Sequence, residues 1–195
     1  MLTRSAISLL KRRSLCYSML EKLRLFVNEK RISTMEDNTD YCIGLLKERG
    51  VTLDDIADCA RYLQADYHVD LVKEELLDSV MSVLKKREVQ FAIMTAIELD
   101  KCAEQGKMND KLLEGALMRD EPLFGVDEVL AYGICNLYGS IALTNFGYID
   151  KKKYGVIAKL NDAGKNSGHC NTFIDDIVGA IAASAASRFA HRWVR

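Results

Sequence analysis

Two pairs of adjacent acids stand out as residues that could carry out chemistry. Asp127–Glu128 and Asp175–Asp176 each begin a segment that is otherwise almost entirely apolar. Carboxylate oxygens are the ligands that Mg²⁺ prefers in proteins, so acids from two helices can meet at one ion. Neighbouring residues of a helix point about 100° apart. We therefore expect one carboxylate of each pair to bind the cation, while the other caps its helix or supports its neighbour.

The same acids have a simpler explanation. Acids in the first turn of a helix accept hydrogen bonds from its free N–H groups and interact favourably with its dipole. The residue pattern by itself is compatible with a magnesium site and with two well-capped helices, so both interpretations remain open.

A group of polar side chains lies between the two acidic pairs. It contains Ser140, Asn145, Asp150 and Lys151. Asp150 could supply a third carboxylate to the cation, and Lys151 could hold a phosphate group as a point charge. Ser140 and Asn145 are candidates for substrate contact. The alternative is structural, because a glycine stop followed by a newly capped helix would give a similar pattern.

A short run of charges, 85–88, precedes an apolar segment of the chain. Such a run is usually a solvated face. A basic group at the border of a buried helix is also well placed to meet an anion, and Arg87 is the residue we select for that role.

The elements that must position these residues are predicted to be helices. Proline occurs once, at Pro122, and glycine and Asn/Asp turns separate segments with helical apolar spacing. Thr52 with Asp55, and Thr172 with Asp175, resemble capping boxes. No strand pattern of useful length is present. We predict an all-α, single multihelical domain in which the apolar segment 89–99 forms a buried central helix.

The charge is unevenly distributed along the chain. Residues 1–34 carry a net charge of +6, although the whole chain is close to neutral at −1. We therefore separate a basic N-terminal extension, 1–35, from the helical domain, 36–195. The extension could be a basic amphipathic helix, a membrane-surface anchor, a transit peptide, or sequence upstream of a second start at Met35.

Composition also restricts the function classes. The acidic main body argues against a general nucleic-acid binder, although 51–57 could open a helix-turn-helix motif. The six cysteines form no zinc-type cluster, which favours a reducing compartment. No stretch reaches the roughly 20 apolar residues of a membrane span. We expect a cytoplasmic protein, with peripheral contact at the inner membrane surface as an alternative.

Five sequence blocks, in the same order, resemble the phosphatidylglycerophosphatase A family, in particular its soluble branch. They are KREVQ at 86–90, GVDE at 125–128, YGS at 138–140, TNFGYIDK at 144–151 and TFIDDIV at 172–178. The resemblance covers about residues 38–191. It implies a Mg²⁺-dependent phosphatase that removes the terminal phosphate of phosphatidylglycerophosphate to give phosphatidylglycerol. The two acidic pairs resemble the acidic motifs of that family, and Asp150–Lys151 resembles its intervening Asp/Lys motif.

This interpretation assigns roles to particular residues. The catalytic residues are predicted to be Asp127, Asp175, Asp176 and Arg87. The metal ligands are predicted to be Asp127, Glu128, Asp150, Asp175 and Asp176, and the substrate contacts Arg87, Lys151, Ser140 and Asn145.

Two other functions remain open at this stage. One is a phosphatase for a soluble phosphomonoester, and the other is a non-catalytic helical interaction or cold/stress-tolerance protein. A homodimer is a further hypothesis, since the Gly/Ala-rich face 179–186 and the apolar segment 129–143 offer much surface to bury.

Overall fold

The computed structural model describes residues 37–67, 72–166 and 168–193, and the predicted extension 1–35 lies outside these ranges. From Asn38 onward the chain forms one compact unit. The described residues form nine α-helices and one 3-10 turn, with no strand. The helices are α1 (Thr39–Glu48), α2 (Leu53–Gln64), α3 (Lys73–Leu84), α4 (Arg87–Glu104), α5 (Lys111–Met118), α6 (Val126–Cys135), α7 (Ser140–Lys152), α8 (Val156–Asn166) and α9 (Ile174–Trp193), with the 3-10 turn at Asn136–Tyr138.

Helix α9 is the centre of this arrangement. Every side chain from residue 174 to 187 is buried, and α9 packs against α7, α2, α3 and α6. Its small residues allow these neighbours to approach closely, and an added Cβ on Gly179 would lie only 3.4 Å from the ring of Phe146. The prediction of an all-α domain with a buried central helix is confirmed.

The central helix is α9 rather than segment 89–99. That segment belongs to α4, which is amphipathic: Val89 and Ile93 are fully buried, whereas Phe91 is 51% exposed. The Gly/Ala-rich face of α9 is covered within the chain itself. It therefore gives no support to the homodimer, which stays a prediction.

Backbone turns bring three helix ends together. Gly125 (φ 69°) precedes α6, Gly139 (φ 81°) precedes α7, and Lys153 (φ 47°) ends α7 in the left-handed region. The N-terminus of α6, the C-terminus of α7 and the N-terminus of α9 meet at one end of the helical domain, where Asp127 lies near Asp176 and Lys153 pairs with Asp175. None of the helices in the described part of the chain is long and apolar enough to span a membrane.

The two predicted capping boxes have different outcomes. The Thr52 box is present, with its side chain accepting from the Asp55 N–H and the Asp55 carboxylate accepting from the Thr52 N–H. The Thr172 box is not formed, because the Asp175 N–H donates to the Asn171 carbonyl at 3.3 Å and the Asp175 carboxylate accepts from the Asp176 N–H. The Thr172 hydroxyl instead donates to the Leu117 carbonyl of α5 at 2.7 Å.

Candidate metal and phosphate site

Three carboxylates converge where α6 and α9 begin. One oxygen each of Asp127, Glu128 and Asp176 can be chosen so that all three atoms lie within 4.8 Å of one another. Asp127 and Asp176 are only 7% and 5% exposed. The Glu128 Oε2 atom is buried and has no hydrogen-bond partner among the described residues. An unpartnered buried carboxylate oxygen beside two further acids fits a divalent cation, because a cation would satisfy it and offset the charge of its neighbours.

The two acidic pairs share a local geometry. Asp127 Oδ1 accepts a hydrogen bond from the N–H of Glu128 at 3.0 Å, and Asp175 Oδ1 accepts from the N–H of Asp176, also at 3.0 Å. In each pair the first acid thus satisfies one of the free N–H groups of its helix. Capping and cation binding are therefore compatible at this site.

The electrostatics of the cluster favour a bound cation. Burial raises the pKa of Asp176, and the nearby carboxylates of Asp175 and Asp150 raise it further. Burial also raises the pKa of Asp127, and the adjacent carboxyl group of Glu128 adds to the effect. Both shifts have the same physical meaning, since ionised carboxylates crowded in a buried position repel one another. A divalent cation removes that penalty.

Lys153 is the lysine that contacts the acids. Its Nζ atom lies 2.6 Å from Asp150 Oδ1 and 2.9 Å from Asp175 Oδ2. Burial alone would lower the pKa of Lys153, but Asp175 and Asp150 outweigh it and hold the pKa above its ordinary value. Lys153 is therefore a permanent positive charge next to the candidate cation position.

The structure separates the predicted ligands into two groups. Asp127, Glu128 and Asp176 form the cluster of three, whereas Asp150 and Asp175 both pair with Lys153. Asp175 is connected to both groups, since it also adjoins Asp176 in the chain and contributes to the upward shift of that residue's pKa.

The lysine selected from the sequence, Lys151, is exposed, and its side chain makes none of the ion pairs described for these acids. Lys153 replaces it as the cation at the site. Lys153 lies three residues after Asp150, so the two side chains fall on one face at the end of α7. That spacing was the available signal, and it was missed in favour of the adjacent lysine.

Arg87 and Ser140 are placed far from the acids. Arg87 begins α4, is exposed, and has its guanidinium 5.7 Å from the ring centroid of Phe91. The acidic end of the molecule contacts α4 at Asp100, about 20 Å further along the helix. Ser140 begins α7, about 15 Å along the helix from Asp150. The structure thus does not bring either residue to the cluster, because each lies at the opposite end of its helix.

Asn145 occupies an intermediate place on α7. It is half-buried, and its Nδ2 atom is buried without a hydrogen-bond partner among the described residues. Both Asn145 and the next residue, Phe146, belong to α7, and Phe146 packs on α9 at Gly179. Helix α7 ends at the acidic cluster, where Lys153 pairs with Asp150 and Asp175. An unsatisfied buried amide is costly, and it keeps Asn145 a candidate for substrate contact.

Sequence reasoning also missed two acids of α4. Asp100 is fully buried and Glu104 is partly buried. Both accept hydrogen bonds from backbone N–H groups just before or within the first turn of α9. The available signal was periodicity, since Asp100 follows Val89, Ile93 and Ala96 on the buried face of α4.

A cavity of about 410 Å³ opens beside Asp175. Its polar lining includes Arg119, Asp120, Asn161, His169 and Asn171. The cavity offers space next to the acids for the part of a substrate that is not the reacting group.

The chain is similar in sequence and in fold to several known proteins. The family model described as phosphatidylglycerophosphatase A matches residues 42–191. The chain is 56% identical over 147 residues to YutG of Bacillus subtilis, and the matched region covers 75% of this chain and 87% of YutG. The crystal structure of the low temperature requirement C protein from Listeria monocytogenes is similar, with a TM-score of 0.78 and 47% identity, covering 83% of this chain and all of that one. The crystal structure of YpjQ from Bacillus subtilis gives a TM-score of 0.77 at 42% identity, covering 83% and 98%.

Proposed function

Since this chain belongs to the phosphatidylglycerophosphatase A family, we propose that it is a Mg²⁺-dependent phosphatase that hydrolyses the terminal phosphate of phosphatidylglycerophosphate. Membership confirms the resemblance identified from the sequence blocks, and the family implies phosphatase chemistry. The observation that carries the proposal is the convergence of Asp127, Glu128 and Asp176 around one position, with a buried Glu128 oxygen that lacks a hydrogen-bond partner in the described part of the chain.

The residues of the chain have distinct roles in this proposal. Asp127, Glu128 and Asp176 would hold the cation, which supplies charge neutralisation at the phosphate oxygens and lowers the pKa of bound water. Lys153 stabilises negative charge on the transferring phosphoryl group. Asp150 and Asp175 orient the Lys153 ammonium through their ion pairs at 2.6 and 2.9 Å.

The reaction needs only one displacement. The oxygen of a water molecule attacks phosphorus, the bond between phosphorus and the glycerol oxygen breaks, and a carboxylate of the acidic cluster accepts the proton of the water. The carboxylate passes this proton to the departing alkoxide, so the products are phosphatidylglycerol and inorganic phosphate. The cavity beside Asp175 provides room for part of the leaving alcohol.

The soluble phosphomonoester remains the second candidate substrate. Three polar side chains of the cavity favour it, because Asn161, His169 and Asn171 suit hydroxylated groups better than acyl chains. The two substrates require the same phosphatase site and differ only in the leaving alcohol.

The test is phosphate release from purified protein at pH 7, measured with Mg²⁺ and after addition of EDTA. One arm uses phosphatidylglycerophosphate in mixed micelles, and the other uses glycerol 3-phosphate and 4-nitrophenyl phosphate. We expect Asp127→Asn and Asp176→Asn each to lower release at least 100-fold, in keeping with the loss of an electrostatic catalytic group. Their circular dichroism spectra should match that of the wild type.

Asp54→Asn is the matched control. Asp54 also lies in the first turn of a helix, α2, but it is exposed and pairs with Lys73. It should retain activity within about twofold. No Mg²⁺-dependent release in either arm would support the non-catalytic alternative, and full activity of Asp127→Asn and Asp176→Asn would exclude the cluster as the metal site.

A further inference from the structure

Asp100 lies in the last turns of α4 and is completely buried. Its Oδ1 atom accepts a hydrogen bond from the Phe173 N–H at 3.1 Å, and its Oδ2 atom accepts from the Ile174 N–H at 3.0 Å. The Cys170 thiol also donates to Oδ1, at 3.5 Å. One side chain of α4 therefore binds Cys170, Phe173 and Ile174, all of which lie at or just before the start of α9.

The start of α9 depends on this carboxylate because the local sequence satisfies only part of its N–H groups. The first N–H groups of a helix have no partner within the helix. The Thr172 hydroxyl, the local capping candidate, points to α5 and donates to the Leu117 carbonyl, and the Asp175 N–H donates to the Asn171 carbonyl. Within the first turn, the Asp176 N–H donates to Asp175 Oδ1. The N–H groups of Phe173 and Ile174 are satisfied by Asp100, which is 73 and 74 residues distant in the chain.

A second tether reinforces the first. The Glu104 carboxylate, one helical turn after Asp100, accepts from the Cys170 N–H at 2.9 Å. Glu104 is itself paired with Arg49, at the end of α1. Helices α1 and α4 thereby fix the backbone on which the second acidic pair is carried.

We propose that Asp100 is a positioning residue: by holding the start of α9 against α4, it sets where the carboxylates of Asp175 and Asp176 lie and so determines how tightly the site binds a divalent cation. This inference rests on the proposed function. Asp175 is the residue directly after Ile174, so a shift of the Ile174 backbone is transmitted to both acids. Displacements of about 1 Å are large for a catalytic site.

The chain offers a matched control at the other end of the same helix. Gln90 of α4 is also buried, and it also binds groups at helix ends. Its Nε2 atom donates to the Leu84 carbonyl and to Thr39 Oγ1, both at 3.1 Å, and its Oε1 atom accepts from the Asn38 N–H. Replacing Gln90 removes a comparable long-range cap without touching the connection to α9.

The experiment measures the dissociation constant of Mn²⁺ alone, by isothermal titration calorimetry, for wild type, Asp100→Asn, Asp100→Glu and Gln90→Leu at 10 °C. Asn keeps the size of the side chain but can accept only one of the two N–H bonds, and Glu keeps the charge with one extra methylene. We expect the Asp100→Asn and Asp100→Glu proteins to bind Mn²⁺ at least tenfold more weakly, and Gln90→Leu to bind within twofold of wild type.

Hydrogen exchange gives a second readout that general destabilisation would not produce. In Asp100→Asn the amides of Phe173 and Ile174 should lose protection, while those in the middle of α9 keep it. Unchanged Mn²⁺ affinity in a folded Asp100 variant overturns the proposal. Failure of both Asp100 variants to fold also overturns it, since Asp100 would then serve stability alone.

The failure of this inference is distinguishable from failure of the proposed function. If Asp127→Asn loses Mn²⁺ binding while Asp100→Asn retains it, only the positioning role is refuted. If Asp127→Asn retains Mn²⁺ binding, the metal site is refuted, and with it the basis of the positioning role.

Discussion

Replacing Lys153 by methionine tests the assignment of the phosphate-binding cation. Methionine has a similar length and no charge. Lys153 has a positive φ of 47°, and this backbone conformation is equally unfavourable for both side chains. The substitution therefore removes the charge and its ion pairs while leaving the local backbone cost unchanged.

The magnitude follows from the contacts of the ammonium group. At the observed 2.9 Å between Nζ and Asp175 Oδ2, the Coulomb energy is about 6 kcal/mol for an effective dielectric constant of about 20. The Lys153 side chain is 32% exposed and that of Asp175 is 8% exposed, so solvent screens part of this energy. We take about 2–4 kcal/mol for a similar contact with a phosphoryl oxygen in the transition state. This range corresponds to a roughly 30- to 1000-fold loss in kcat/KM.

The assay is Mg²⁺-dependent phosphate release by Lys153→Met, Lys153→Arg and Lys151→Met. Lys153→Arg keeps the positive charge, and we expect it to retain more activity than Lys153→Met. Lys151→Met is the control, since Lys151 is exposed and should contribute less than about threefold. The assignment of Lys153 as the phosphate-binding cation is refuted if Lys153→Met keeps kcat/KM within threefold of wild type. It is also refuted if Lys151→Met loses as much activity as Lys153→Met.

Two further predictions concern stability. Gly179→Ala should raise the free energy of unfolding by about 0.5–1 kcal/mol, since alanine favours the helix and its Cβ would meet Phe146 at a contact distance of 3.4 Å. Gly179→Leu should lower the free energy of unfolding by about 1–3 kcal/mol, because the larger side chain displaces the Phe146 ring. Urea unfolding measures both effects. Burial raises the pKa of Asp100 to about 7, despite the N–H groups of Phe173 and Ile174. The folded protein therefore retains a proton there that the unfolded chain releases above about pH 4. The stability of wild type relative to Asp100→Asn should then fall as pH rises from about 4 to 7, by at most about 1.4 kcal/mol per pH unit. A flat or rising difference would contradict this assignment.

The fold class was predictable because its signals are local. Glycine stops and apolar spacing depend only on residues close together in the chain. Together with the scarcity of proline, they predicted helices correctly. The Thr52 cap was predictable for the same reason, since Thr52 is exposed, Asp55 is half-buried and the two residues bond each other across one helical turn. The choice of the central helix failed because apolar content was used as the measure of burial. Small residues such as Gly179 allow neighbours to approach α9 from all sides, whereas α4 leaves Phe91 in solvent.

The site was only partly predictable because its geometry is set over long distances. The acidic pairs were recognisable from their place at helix starts. The pairing of Lys153 with Asp175 depends on how the end of α7 meets the start of α9, which no local spacing reveals. The bonds from Asp100 to Phe173 and Ile174 have no local signature either. Arg87 shows the opposite kind of error. Its neighbours in the sequence resemble a family motif, but it lies at the end of α4 that is remote from the acids.

The most direct test of the metal site is diffraction from crystals grown with Mn²⁺, recorded at the manganese absorption edge. The proposal predicts one anomalous difference peak bounded by Asp127, Glu128 and Asp176, at about 2.1 Å from the carboxylate oxygens. The peak should be absent from Asp127→Asn crystals grown in the same way. Full occupancy by Mn²⁺ elsewhere, with these three carboxylates left without a cation, would contradict the account.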